Sequence, residues 1–73
     1  MATKRLYYEY GPYAASILPQ RNQNVIWYQA VIHHEASGKV VVKEEFTTPE
    51  NAISYLATRY NLLQTEWKDL TVA

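Results

Sequence analysis

Residues 25–46 read VIWYQAVIHHEASGKVVVKEEF, and residues 47–63 continue with TTPENAISYLATRYNLL. The first run is rich in β-branched and aromatic residues, which favour strands. It is interrupted by Ala36-Ser37-Gly38, which suits a three-residue hairpin loop with Gly38 in the left-handed conformation. The stretch therefore predicts two antiparallel strands followed by a helix.

The hairpin loop sets the register of these two strands. It predicts three cross-strand pairs, Glu35–Lys39, Ile32–Val42 and Tyr28–Phe46. Because strand residues alternate between faces, one face receives Ile26, Tyr28, Ile32, Val40, Val42 and Phe46. The reverse face receives Trp27, Gln29, Val31, His33, Val41, Lys43 and Glu45. Both faces of residues 25–34 are mostly apolar, which predicts a central strand.

The same register places the charged Glu44 on the apolar face, opposite Ala30. Three arrangements would resolve this conflict: a position at the sheet edge, an ion pair with Arg59, or an earlier end of the strand.

Residues 48–63 predict an amphipathic helix. Thr48 suits the N-cap, Pro49 the first helical position and Glu50 the first turn, where a negative charge is favourable. Asn61 is the expected end. One stripe contains Ile53, Leu56, Ala57, Tyr60 and Leu63, with Ala52 at its margin and with Tyr55 and Leu62 nearly opposite. We expect this stripe to pack on the sheet face that carries Tyr28, Ile32, Val42 and Phe46.

The two ends of the chain are less clearly patterned. Residues 4–10 alternate and predict a first strand, which Gly11-Pro12 interrupts. Residues 13–18 are either a further extended segment or a loop, and residues 19–24 form a polar connection. The tail is a short strand or helix that packs Trp67 on the body, and as a strand it places Leu70 and Val72 on one side.

Together these elements predict one α+β domain over residues 1–73. We expect a small antiparallel sheet of three to four strands in β-β-β-α order, with one amphipathic helix on one face and a short C-terminal strand or helix. One helix cannot cover both faces of the sheet. Either the N-terminal segment folds over the reverse face or a partner covers it, and a second copy of this small, cysteine-free chain is one such partner.

Composition excludes several classes of function. The net charge is 0 and the seven basic residues are scattered, whereas a duplex-binding protein concentrates basic residues on one face. No segment approaches the roughly 20 apolar residues that span a bilayer, and residues 1–9 lack the apolar region expected of a secretory signal. With no cysteine, we expect a cytoplasmic protein.

No combination of residues predicts catalysis or metal binding. His33 and His34 are adjacent on a strand, so they point to opposite faces and cannot share one metal ion. Glu44 and Glu45 diverge for the same reason. The two glycines cannot form a phosphate-binding loop, and the serines have no matching His and Asp. We therefore expect no enzyme, no cofactor and no metal site. The less favoured alternative is a partial site in which one of the two histidines joins Glu35, Glu44 or Glu45 across the hairpin.

Aromatic residues provide the strongest functional signal. Four tyrosines fall within the first thirteen residues, and tyrosine and tryptophan dominate protein-binding hot spots. We predict a partner-binding surface made of Tyr7, Tyr8, Tyr10, Tyr13, Trp27, Val31, His33, Val41 and Lys43. The partner is another protein or a second copy of the chain. The alternative is stacking of unpaired bases on the tyrosines, which the neutral charge makes less favourable.

In size and layout the chain resembles small accessory proteins of phages and bacteria, including inhibitors of host defence enzymes. No motif carries this resemblance, and it implies no family. It implies a small adaptor, regulator or inhibitor of a larger protein.

Overall fold

The computed structural model describes residues 4–71, which form an antiparallel sheet with an α-helix on one face. The strands are β1 (Leu6–Tyr10), β2 (Tyr13–Asn22), β3 (Val25–His34), β4 (Val40–Phe46) and β5 (Lys68–Asp69). Helix α1 spans Pro49–Tyr60, and a 3-10 helix spans Gln64–Glu66. The spatial order of the strands is β4-β3-β2-β1-β5. The predicted α+β class is confirmed, with four strands before the helix and a short fifth strand after it.

The core lies between α1 and the sheet face beneath it. Two cross-strand pairs at its centre combine a small with a large residue, Ala15 with Ile32 and Ala30 with Ile17. All four are buried, as is Ala52 of α1. Because alanine projects only a methyl group, these positions let the helix approach the sheet while the isoleucines fill the space beside them.

β2 corrects the polar connection expected at residues 19–24. The strand continues to Asn22, and only Gln23 and Asn24 form the turn, with Gln23 at φ 56°. Pro19 is tolerated because β1 pairs with β2 only as far as Ile17. Beyond that point one side of β2 has no neighbouring strand, so the missing N–H of proline costs no ladder hydrogen bond.

A β-bulge changes the end of the β3–β4 hairpin. The predicted pairs Ile32–Val42 and Tyr28–Phe46 form, but the register then shifts and His33 pairs with Val40. Val41 is thus the extra residue of β4, and Val40 lies on the face away from α1, not on the predicted apolar face.

The loop of this hairpin is also longer than predicted. Gly38 has the expected left-handed φ of 72°, but its N–H donates to the carbonyl of His34 at 2.7 Å. Glu35 does not pair with Lys39. Instead, the Glu35 N–H donates to the carbonyl of Pro12 at 3.0 Å, which ties the loop to the β1–β2 turn.

Glu44 lies opposite Ala30, as the register predicts, and its side chain remains exposed. The exposure is possible because β4 is an edge strand. The edge position therefore resolves the conflict that the sequence raised.

The helix is turned relative to the predicted stripe. Ala52 and Leu56 are fully buried, whereas Tyr60 and Leu63 are exposed. Tyr55, expected nearly opposite the stripe, packs its ring 5.2 Å from that of Phe46, centroid to centroid. Leu62, also expected on the far side, enters the core because Asn61 ends the helix in the left-handed conformation and redirects the chain.

Thr48 caps the helix as predicted, and its hydroxyl oxygen accepts the N–H of Asn51 at 3.1 Å. Replacing Thr48 with alanine is expected to lower the free energy of unfolding by about 1 kcal/mol, because that N–H loses its acceptor. Urea titration followed by circular dichroism measures the loss. Thr47→Ala is the matched control, since the Thr47 hydroxyl accepts only a side-chain amide at 3.4 Å. Equal losses in the two variants would contradict the capping role.

The tail contains both of the predicted alternatives, a helical turn and a strand. The Leu70 N–H donates to the Arg5 carbonyl at 2.8 Å, and the Arg5 N–H donates to the Thr71 hydroxyl at 3.1 Å. Hydrogen bonds from the side chain and backbone of Thr71 lower the pKa of the Asp69 carboxyl. Val72, part of the predicted strand, lies outside the described residues. The hydrogen bonds of Arg5 with Leu70 and Thr71 hold the tail beside β1.

Candidate functional site

The sheet face away from α1, here called the open face, is the candidate site. The helix packs on the other face, together with Leu62 and Trp67 of the tail. The hairpin of β1 and β2 lies beside β3 in the same sheet and not across it. Within residues 4–71, no helix or strand therefore covers the open face.

The strand register aligns several predicted partner-binding residues in rows across the open face. One row contains Tyr7, Ser16, Val31 and Lys43 on four successive strands. The next rows contain Leu18, Gln29 and Glu45, then Gln20 and Trp27. Neighbouring strands are about 4.8 Å apart, so the first row spans roughly 14 Å. The open face thus combines aromatic and aliphatic side chains with neutral polar ones.

Trp27 is held in a defined orientation on this face. Its indole N–H donates to the Glu45 carboxylate at 3.2 Å. The ring lines a shallow depression at the end of β4 together with Glu45, Phe46 and Thr47. A tryptophan whose N–H is already hydrogen-bonded and whose ring is accessible presents a large contact area and loses little conformational entropy when a ligand or partner binds.

Charged residues lie at the two sides of the open face. Lys43 and Glu45 project from the edge strand β4. At the opposite side, the Lys68 ammonium lies 3.9 Å from the Glu9 carboxylate, with both side chains exposed. Exposed pairs of this kind contribute little to stability. The arrangement, apolar and amide groups inside a charged rim, is that of protein interfaces.

Tyr7 belongs to this face and remains protonated at neutral pH. Its pKa is raised, first by desolvation and then by the carboxylates of Glu35 and Glu9. A neutral phenol keeps its O–H as a hydrogen-bond donor.

The predicted partner-binding residues separate into two groups. Tyr7, Trp27, Val31, His33 and Lys43 share the open face. Tyr8, Tyr10 and Tyr13 instead pack against the core on the helix side. Val41, at the bulge, also lies on the helix side, near Tyr10 and Tyr13. The single surface expected from the sequence is thus divided between two faces.

The predicted partner-binding set omits two exposed aliphatic residues of the open face, Leu18 and Val40. Leu18 is 36% exposed and Val40 is 52% exposed. The alternation of Ser16 and Leu18 indicates the face of Leu18 only when residues 13–22 form one strand, as they do in the structure. Val40 carries no such signal, because its face depends on the bulge.

The two histidines diverge, as predicted. His33 lies on the open face, whereas the ring of His34 meets that of Tyr13 edge-on at 5.6 Å. The Nδ1 atom of His34 lies 3.1 Å from the Ser37 hydroxyl oxygen. Among the described residues, no three His, Asp or Glu side chains converge as metal ligands.

Residues 4–71 contain no helix with the length and apolar character that crossing a bilayer requires. No protein-family model, curated protein or solved structure matches the chain. Because none of these comparisons indicates a function, the functional proposal depends on the open face.

Proposed function

We propose that this chain is a small non-enzymatic protein-binding module whose open face binds another protein. The observation that carries the proposal is that an antiparallel sheet has its helix on one face only. The other face presents Tyr7, Trp27 and Val31 with a charged rim. In this role the module acts as an adaptor, regulator or inhibitor of a larger protein.

The composition of the open face favours a different protein over a second copy as the partner. Its central rows include Ser16, Gln20 and Gln29 beside the apolar residues. Permanent homodimer interfaces are more apolar than this, whereas separable complexes have a mixed composition. A homodimer remains the alternative outcome, and measurement of the oligomeric state distinguishes the two.

The exposed edge at β4 favours binding of a partner on the open face over pairing of a partner strand with β4. β4 is one edge strand of the sheet, and Lys43, Glu44 and Glu45 follow one another along it, all exposed. The bulge at Val41 also interrupts its regular pairing pattern. Charges and bulges are the devices by which proteins prevent pairing at sheet edges.

Binding of single-stranded nucleic acid receives less support from the geometry. Of the four N-terminal tyrosines, only Tyr7 lies on the open face, so the rings do not form one stacking platform. Fluorescence titration with oligonucleotides at low salt tests this alternative. We expect no saturable quenching of tryptophan emission.

The test of protein binding compares open-face variants with a control on the far side of the molecule. Trp27→Ala and Val31→Glu are expected to weaken binding of the natural partner at least tenfold, because each alters the proposed contact. Ser54→Glu, on the exposed side of α1, adds the same charge as Val31→Glu and is expected to leave binding unchanged.

The partner is first captured with the wild-type chain from cells of its source and then purified for calorimetric titration. Light scattering during size-exclusion chromatography reports self-association. If all three variants bind the purified partner as the wild type does, the open face is not the binding surface. If wild-type protein is a dimer that Val31→Glu dissociates, the partner is a second copy.

A further inference from the structure

A cleft on the helix side, separate from the open face, has the features of a small-molecule site. Its volume is about 350 Å³, and its lining consists of Tyr10, Tyr13, Ile32, Val41, Val42 and Tyr60. We call it the tyrosine cleft. Ligand pockets in proteins range from about 300 to 1,000 Å³, so the cleft is large enough for a small ring compound.

Two features of the backbone create the cleft. Helix α1 ends at Tyr60, and Asn61 turns the chain away with φ 58°. β3 continues to His34, so the sheet extends past the end of the helix. The bulge then brings Val41 to the same side as its neighbour Val42, where both line the cleft. The cleft is therefore a product of defined secondary structure.

The lining of the cleft is aromatic, aliphatic and uncharged. The rings of Tyr10 and Tyr13 lie 5.7 Å apart, centroid to centroid, with their planes only 32° from parallel. Desolvation raises the pKa of Tyr10, and the proximity of Tyr13 and Tyr60 raises it further. The Tyr10 phenol therefore stays neutral at physiological pH, and Tyr13 and Tyr60 lie beside it in the cleft. Each supplies a hydroxyl that both donates and accepts hydrogen bonds.

We infer that the tyrosine cleft binds a neutral, planar aromatic molecule that carries one hydroxyl or N–H group. The flat ring suits stacking and edge contacts with Tyr10 and Tyr13, and the polar group suits the phenol hydroxyls. No charged side chain lines the cleft, so a charged ligand would lose its hydration without gaining a counter-ion. This inference concerns the helix side and is independent of the proposed binding at the open face.

Indole is the appropriate probe, because it is planar, neutral and carries one N–H. Titration of ¹⁵N-labelled protein is expected to shift the backbone amides of Tyr10, Tyr13, Val42 and Tyr60 saturably. A ligand this small is expected to have a Kd on the order of 1 mM. Cyclohexanol, which is not planar, is expected to bind at least fivefold more weakly.

A matched pair of variants tests the location. Val41→Phe is expected to fill the cleft and weaken indole binding at least tenfold. Val40→Phe makes the same change one residue away, on the open face, and is expected to leave the Kd unchanged. Both side chains are about half exposed in the native protein, at 50% and 52%, so neither change disrupts the core.

Three results would overturn the inference. The first is an equal Kd for indole in Val41→Phe and Val40→Phe. The second is a set of shifted amides that lies on the open face. The third is tighter binding of tetramethylammonium than of indole, which would make the cleft a cation site formed by aromatic rings. Val31→Glu, which tests the open face, is expected to bind indole like the wild type.

Discussion

Replacing Leu56 with alanine is expected to lower the free energy of unfolding by about 3 kcal/mol. The Leu56 side chain is fully buried, and within residues 4–71 Ile17 and Ile32 are the other large side chains described as fully buried. Its removal loses the transfer free energy of the deleted groups and leaves a cavity between α1 and the sheet. A domain of this size has a total stability of roughly 4–11 kcal/mol. The variant is therefore expected to melt roughly 12–24 °C below the wild type.

Leu63→Ala provides the control for this experiment. It is the same substitution seven residues later, at a side chain that is 57% exposed. We expect a change of less than about 0.5 kcal/mol there. Thermal melting and urea titration, both followed by circular dichroism, measure the two variants. Similar losses for Leu56→Ala and Leu63→Ala would contradict the position of the core described above.

Tyr8→Ala is expected to have the second-largest effect, a loss of about 2 kcal/mol in the free energy of unfolding. The Tyr8 ring packs against the core, with the ring of Trp67 at 5.4 Å and the ring of Tyr10 at 6.0 Å between centroids. Its deletion removes aromatic contacts that connect β1 to the tail. Urea titration measures the loss, and the near-ultraviolet signal of Trp67 is expected to weaken.

Tyr7→Ala is the matched control, because Tyr7 is the neighbouring residue on the opposite face of β1. Its loss is expected to cost less than about 1 kcal/mol of stability and, under the proposed function, to weaken partner binding. The pair thus separates contributions to folding from contributions to binding. If Tyr7→Ala destabilises the protein more than Tyr8→Ala, the assignment of the two faces is wrong.

The centre of the β3–β4 hairpin could be predicted from sequence, whereas its end could not. The hairpin loop predicts the pairs Ile32–Val42 and Tyr28–Phe46, and a shift of the register by one residue would mix the two faces there. Residues 40–42 are three consecutive valines, so a shift by one residue leaves the pattern unchanged. The bulge therefore leaves no signal in composition, and the faces of Val40 and Val41 were assigned wrongly.

The sequence predicts too short a strand β2, because proline usually indicates a loop. Whether Pro19 breaks a strand depends on whether a neighbour needs its N–H at that position. This depends on how far β1 extends along β2, a non-local property that the local sequence does not contain.

The tyrosines show a different limit of sequence-based prediction. Alternation alone separates Tyr7 from Tyr8 and Tyr10, but a count of aromatic residues groups all of them into one surface. Which of the two sets faces the helix depends on how β1 aligns with β2. The pairing of Leu6 with the buried Ile17 determines this alignment and directs Tyr8 toward the core.

Apart from the buried Ala14, the core of residues 4–71 lies on one side of the sheet, and this has a consequence for how the protein evolves. Residues such as Leu18, Val31 and Lys43 lie on the open face, whereas the buried cluster lies entirely on the other side. Under the proposed function, substitutions among them alter what the molecule recognises at little cost in stability. A lineage under pressure to follow a changing target could therefore diversify this face while the helix side is conserved. The same property makes the chain a suitable scaffold for a combinatorial library.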